Sequence, residues 1–325
     1  MKRQFLKQMA AMAAAAVLPP LASARPGYPD RPVRLLVPYP PGGSMDPIAR
    51  IMGQKLGELL GQPLVVDNRP GGNTSIATGM AAKAAPDGYT LLFSSVGTHV
   101  IHAMQASVPY DTLRDFAPVC TVSRSGYVLV VHPSVPATTV PELVAYAKAH
   151  PGQLNFGSAG IGNANHLAGE MFNMSAGVKI THVPYKGTSL VMNDLLAGRM
   201  QMFFSTISAL QGHVDAGALR AIAYTSQPPG RPPVPTFDQF GMKDFDKIEL
   251  ITMLLAPRDT PAAIVDTLAG AVHASLDTPD VAAAIESQNQ SAYYLGPQQL
   301  AERLQADRAK FAEIVEKANI KLTDH

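Results

Sequence analysis

The chain repeats one local grammar twice, and that repetition restricts its fold more than any other feature. In the first half, residues 33–37 form an apolar run that reads as a buried strand. It ends in the turn Pro38-Tyr39-Pro40-Pro41-Gly42-Gly43-Ser44-Met45. Asp46 and Pro47 then start a helix, with Asp46 expected as N-cap and Pro47 at the first helical position. Ile48, Ile51, Met52, Leu56, Leu59 and Leu60 follow at helical spacing. A strand over 63–67, the turn 68–72, a helix carrying Ile76, Met80 and Ala84, and a strand over 89–93 running into Ser94 and Ser95 complete the unit.

The second half restates this order. A strand over 154–156 leads into the loop Gly157-Ser158-Ala159-Gly160-Ile161-Gly162-Asn163. Then come a helix with Leu167, Met171 and Met174, a strand over 179–183, and the turn Pro184-Tyr185-Lys186-Gly187-Thr188. A helix with Leu190, Met192, Leu195 and Leu196 leads to a strand over 200–204 that ends at Ser205 and Thr206. About 25 residues separate the first loop from the second in each half, the spacing of βαβ units. Such alternation implies an α/β fold with parallel strands under covering helices. Residues 126–133 and 251–257 are two similar apolar runs, each followed by a Pro-started helix. They are expected to be two crossings between lobes. Lobe one then comprises residues 25–125 and 248–325, and lobe two residues 126–247. The paired loops would face each other across a hinged cleft.

A Gly-rich turn between a strand's carboxyl end and a helix's amino end presents free N–H groups beside a positive dipole end. That arrangement suits an anion. Composition fits such a site: 325 residues with a net charge of +1 and 16% charged residues leave no basic footprint for nucleic acid. The absence of Trp argues against a platform for stacking bases or sugars.

The first residues form a targeting segment. Lys2, Arg3 and Lys7 precede an apolar stretch over 9–21, and Ala22-Ser23-Ala24 fits a cleavage site, so export with cleavage after Ala24 is expected. Lys occupies the first basic position of a twin-arginine-like run, which favours the general secretion route. The single cysteine, Cys120, precludes an internal disulfide and reads as a buried thiol in a strand. An exported protein of this kind belongs in a Gram-negative periplasm.

Enzyme signatures fail. Ser158 lacks the first Gly of G-x-S-x-G and Ser44 lacks the last. Gly160-Ile161-Gly162 meets Asn165 where the dinucleotide fingerprint needs Gly. Lys186-Gly187-Thr188 reverses the P-loop order, and His99 and His102 have no accompanying ligand cluster, so neither cofactor nor metal is expected. What remains are small polar groups at strand ends. Tyr39 and Tyr185 could offer hydroxyl donors, His166 could contact ligand or pack, and Lys186 could neutralise an anion. The amides of Gly42, Gly43, Ser44, Gly160 and Gly162 are the preferred donors.

The stretch from Pro38 to Arg50 resembles the P-x-x-P-G-G-x-x-D-x-x-A-R signature of the tripartite tricarboxylate transporter substrate-binding receptors, also called Bug (Bordetella uptake gene) proteins. Asn68-Arg69-Pro70-Gly71-Gly72, Pro86-Asp87-Gly88-Tyr89, Tyr110-Asp111, Gly157 to Gly162 with His166, and Val183 to Gly187 extend the resemblance over the mature chain. It implies a type II periplasmic binding-protein fold, two α/β lobes joined by two crossover strands, closing on a small carboxylate. It implicates Tyr39, Gly42, Gly43, Ser44 and Asp46 in lobe one and Ser158, Gly160, Gly162, Asn163 and His166 in lobe two, with Tyr185, Lys186 and Gly187 nearby. Pro41, Met45, Ser95, Ala159 and Ser205, beside these residues or at the strand ends, complete the candidate ligand-binding set. The second loop lacks the extra glycine of the common family form and has Asn73 and Thr74 instead, and the segment 96–107 departs from it as well, so the identity of the acid stays open. The expected partners are that carboxylate and the membrane permease of the transporter, with the receptor a monomer. A sensor docking on a histidine-kinase ectodomain and an exported hydrolase are the alternatives.

Overall fold

The computed structural model describes residues 27–102, 104, 108–185, 187–228, 233–245, 248–317 and 320. The targeting segment, Lys186 and residues 229–232 of the Pro-rich stretch 228–235 therefore lie outside the described residues. The first unit runs β1 (Val33–Val37), α1 (Asp46–Leu60), β2 (Leu64–Asn68), α2 (Ser75–Ala82), β3 (Thr90–Ser95) and α3 (Val96–His102). A 16-residue strand, β4 (Phe116–Val131), leads to α4 (Val140–Ala149). The second unit runs β5 (Asn155–Ser158), α5 (Ala164–Ala176), β6 (Thr181–Pro184), α6 (Thr188–Leu196), β7 (Met202–Thr206), α7 (Ile207–Asp215) and β8 (Arg220–Tyr224). Then come β9 (Glu249–Pro257), α8 (Ala262–Leu276), α9 (Pro279–Glu286), the short β10 (Ser291–Ala292) and α10 (Pro297–Lys317).

The sheet order is β2-β1-β3-β9-β4-β7-β5-β6, with β8 and β10 also pairing β4. β1 is parallel to β2 and β3, and β5 is parallel to β6 and β7. β4 is the shared member. Its residues 116–126 pair antiparallel with β9, and from Tyr127 onward it pairs with β7 and β8. Register shifts near Pro118 and Thr121 mark bulges that bend this long strand.

Register fixes where the strand ends meet. β9 is antiparallel to both β3 and β4, so β3 and β4 run the same way. β7 runs against β4, so the carboxyl ends of the two parallel sets point toward each other. Ser95 lies level with Thr252 and thereby with Ser123, while Thr206 lies level with Tyr127. Four residues of strand, ~13 Å, separate the two levels. The converging ends are where a ligand would sit in an open α/β sheet.

The crossings are tied by hydroxyls. Tyr127 N donates to Thr225 Oγ1 (2.8 Å), and that hydroxyl donates to the Ile248 carbonyl (3.0 Å) just before β9. Ser123 Oγ shares a hydrogen bond with Thr252 Oγ1 (2.7 Å) and donates to Gln290 Oε1 (2.8 Å). One apolar cluster extends from β1, β3 and β9 into lobe two, where Phe172, Phe204, Phe237 and Phe245 stack. A second one, with Val128, Val130, Val191, Leu195 and Phe203, lies under α6 and α7.

Some helices present a different face than their hydrophobicity suggests. α2 buries Ala77, Thr78 and Ala81 and turns Ile76 and Met80 outward. α1 exposes Leu59, and Met174, Leu190 and Leu196 are likewise exposed. In each case the buried stripe is completed by smaller or differently phased residues.

Candidate functional site

The two Gly-rich loops are held by the same device. In lobe one, Gly42 N donates to Asp46 Oδ2 (3.1 Å), four residues ahead in the first turn of α1. In lobe two, Gly162 N donates to His166 Nδ1 (3.1 Å), again four residues ahead in the first turn of α5. Gly42 has φ +79° and Gly162 φ +78°, left-handed values that a side chain would strain. One lobe thus uses a carboxylate and the other an imidazole to fix an equivalent amide.

Asp46 does not cap its own helix, in contrast to the sequence expectation. Met45 occupies the N-cap position, and the Asp46 carboxylate turns back to the loop. It also accepts from Arg50 Nε (3.0 Å) and from Asn68 Nδ2 (3.0 Å). Burial pushes its pKa up. The bonds from Arg50, Gly42 and Asn68 outweigh that and hold the group below the usual carboxylate range. Met45 is buried in the core, so its side chain anchors the loop. Gln290 Nε2 donates to the Ser44 carbonyl (2.9 Å) from the far end of the chain.

This bracing consumes several amides that sequence reading offered to a ligand. Those of Gly42 and Gly162 are spent as above, and Gly160 N donates to Ser158 Oγ (3.2 Å). Gly43 N makes a long bond to the Pro40 carbonyl (3.4 Å). Among the described residues, the amides of Ser44, Met45, Ala159 and Ile161 have no such partner. The unspent donors lie beside the glycines.

The hydroxyls are also largely committed. Tyr39 OH and Ser95 Oγ are 3.0 Å apart, and Ser95 Oγ is 2.9 Å from Thr98 Oγ1. Tyr127, buried beside this pair and not singled out from sequence, has its phenol pushed up by burial and by Tyr39. Tyr185 OH donates to Asp194 Oδ2 (2.7 Å), and burial followed by that carboxylate pushes its pKa up to about 12. Ser205 is buried in β7, paired with Val128. Gly187 stands at the N-cap of α6, Pro41 is exposed, and Asn163 caps α5 by accepting from Asn165 N (3.3 Å).

Lobe two also contains a group that sequence reading missed. Ser158, fully buried, lies with its Oγ 2.6 Å from His182 Nε2 and donates to the Gly160 carbonyl (2.9 Å). The His182 ring stacks on His166 with centroids 3.7 Å apart and planes 13° from parallel. Burial, then the His166 ring, pushes the His182 pKa down to about 3. A histidine inside the strand next to the Ser158 strand was the available signal. His99 is a core residue, buried edge-on to Phe116 with Nε2 2.6 Å from the Thr112 carbonyl. Among the described residues no three metal-binding side chains gather.

Two α/β lobes joined by two crossing strands define the two-lobe flytrap class of solute-binding proteins. A family model described as "Tripartite tricarboxylate transporter family receptor" matches residues 48–320, and the chain belongs to that family. It is 33% identical over 299 residues to Protein BugT of Bordetella pertussis, covering 91% of each chain. Among solved structures it resembles periplasmic binding protein BugD, with TM-score 0.80 and 29% identity over 91% of this chain and all of that one. It also resembles R. palustris Rpa4515 with adipate, with TM-score 0.83, 32% identity, and 90% and 99% coverage. MatC from Rhodopseudomonas palustris with bound malate gives TM-score 0.78, 28% identity, and 89% and 100% coverage. The family is one of periplasmic solute-binding receptors.

Proposed function

We propose that this protein is exported, cleaved after Ala24, and captures a small dicarboxylate or tricarboxylate between its two loops for delivery to a tripartite tricarboxylate-type permease. The observation that carries the reading is the set of unspent amides at Ser44, Met45, Ala159 and Ile161, at strand ends that converge from both lobes. Amides aligned at helix N-termini stabilise a carboxylate without a buried counter-charge. The adipate and malate in the two related structures support that chemical class. Lobe one comprises residues 25–125 and 248–325, lobe two 126–247, and the receptor acts as a monomer. Closure follows from better ligand contacts in the closed state, since a ligand shifts an equilibrium only by differential affinity.

Isothermal titration with adipate, malate and citrate, joined to amide NMR, tests the reading. Binding of at least one acid is expected, with the largest amide shifts at Ser44, Met45, Ala159 and Ile161. No binding across the panel, or shifts confined to one lobe, would overturn it.

A further inference from the structure

Two imidazoles stack in lobe two, and that of His166 braces the ligand loop. Ser158 Oγ lies 2.6 Å from His182 Nε2, and the direction of that bond follows the tautomer of His182. His166 accepts the Gly162 amide at Nδ1 (3.1 Å), so its proton is on Nε2, which points toward Glu170 Oε1 at 3.7 Å. The Gly162–His166 bond is buried, and His166 itself is 5% exposed.

A second proton has two places to go. On His166 it must sit on Nδ1, where it would oppose the Gly162 N–H at hydrogen-bond distance. The facing groups are Glu170 on the same helix, His182 from β6, and Ser158 and the Phe156 ring from β5. Glu170 Oε1 is the carboxylate oxygen at 3.7 Å from His166 Nε2. The 3.7 Å stack prevents both rings from being charged together. A proton taken up at His166 Nδ1 breaks the brace of the ligand loop.

We propose that His166 is a proton-operated positioning residue, whose neutral ring holds the Gly162 amide and whose protonation releases the lobe-two loop and weakens carboxylate binding. The inference rests on the receptor reading for its ligand half and stands alone for its loop half. Lobe one has no such sensitivity near neutral pH, because Asp46 in the equivalent place stays ionised.

The 15N-labelled protein is titrated from pH 8 to pH 5 without ligand, following His ring nitrogens and backbone amides. The Gly162 amide is expected to shift with the same midpoint as His166. In Glu170→Gln both midpoints should fall together. In His166→Asn the side-chain oxygen supplies an acceptor that does not titrate, so the Gly162 response should disappear. A Gly162 amide that ignores the His166 midpoint in the wild-type protein overturns the proposal, whether or not the variants fold. For the ligand half, adipate titrations at pH 8 and pH 6 should show the wild-type Kd weakening at least fivefold more than that of His166→Asn, the acid's own titration being common to both. Equal weakening overturns the ligand half. Absence of adipate binding to the wild-type protein instead counts against the receptor reading for that acid and leaves the amide titration to decide the loop.

Discussion

Replacing Asp46 by Asn tests whether the lobe-one loop is held by charge and acceptor geometry. Asp46 is 5% exposed, and both oxygens accept: one from Gly42 N and Arg50 Nε, the other from Asn68 Nδ2. An Asn amide puts an NH2 at one of these places, where it meets another donor. Turning Asn68 over does not relieve this, because Asn68 also donates to the Tyr39 carbonyl (3.2 Å) and accepts from Arg50 Nη2 (3.2 Å). One buried unsatisfied donor costs ~1–3 kcal/mol. The lost pairing with Arg50, whose side chain is 55% exposed, adds only ~0.5 kcal/mol. The sum is ~1.5–3.5 kcal/mol, a fall in Tm of roughly 2–5 °C for a chain of this size, measurable by urea and thermal unfolding at pH 7. Because the folded pKa lies below the unfolded one, this stabilisation is complete above the ordinary carboxylate range and disappears as pH falls through the folded value. The gap between wild type and Asp46→Asn must therefore close in acid. A gap under ~0.5 kcal/mol at pH 7, or one that persists unchanged at pH 2, would refute the reasoning.

Gly42→Ala forces a side chain into φ +79° and should cost ~1–2 kcal/mol and weaken adipate binding. Gly43→Ala, whose Cβ would rest 3.5 Å from the Pro40 carbonyl, should be nearly silent in the same calorimetry. Cys120 is fully buried and its thiol is pushed up by burial, so a thiol reagent should label it only after denaturation. His182, held near pKa 3 against an ordinary 6.5, contributes stability that is complete above pH 6.5 and is lost as pH falls toward 3. Discounted for its half-buried ring this is ~2 kcal/mol, and urea midpoints of His182→Phe should fall less between pH 7.5 and 4.5 than those of the wild type.

Elements whose signals are local were legible. β1 and α1 follow from an apolar run, a Pro at the helix start and a 3.6-residue period. The phase of α2 was not legible, because close packing against the sheet selects Ala77, Thr78 and Ala81 and leaves the larger Ile76 and Met80 in solvent. α3 was missed because Gly97, Thr98 and His99 interrupt its apolar residues, and the carbonyl that satisfies His99 comes from Thr112 beyond the helix. β4 read as separate pieces because Ser123, Ser125 and Gly126 interrupt it. Their partners, Thr252, Gln290 and Asn289, are more than a hundred residues away. The site divided in the same way. Both loops were legible from Gly and Pro, but which amides remain unspent depends on side chains folding back, as Asp46 does instead of capping.

The duplicated brace shows how one backbone solution tolerates two electrostatic answers. A loop that must offer amides to an anion has to stop its other amides from competing or collapsing, and a side-chain acceptor one helical turn ahead does this in both lobes. A carboxylate in that place is a strong acceptor but brings a negative charge toward a negative guest. Lobe one offsets this with Arg50 and Asn68 on the same carboxylate. An imidazole brings no charge and needs no such neutralisation, so lobe two can bury it with a second ring stacked upon it. The two answers fail under different conditions. A carboxylate loses its role only in strong acid, whereas an imidazole changes from acceptor to donor on gaining one proton. A receptor built with one of each would loosen one side of its cleft first, and the side that loosens is set by the residue four positions after the loop glycine.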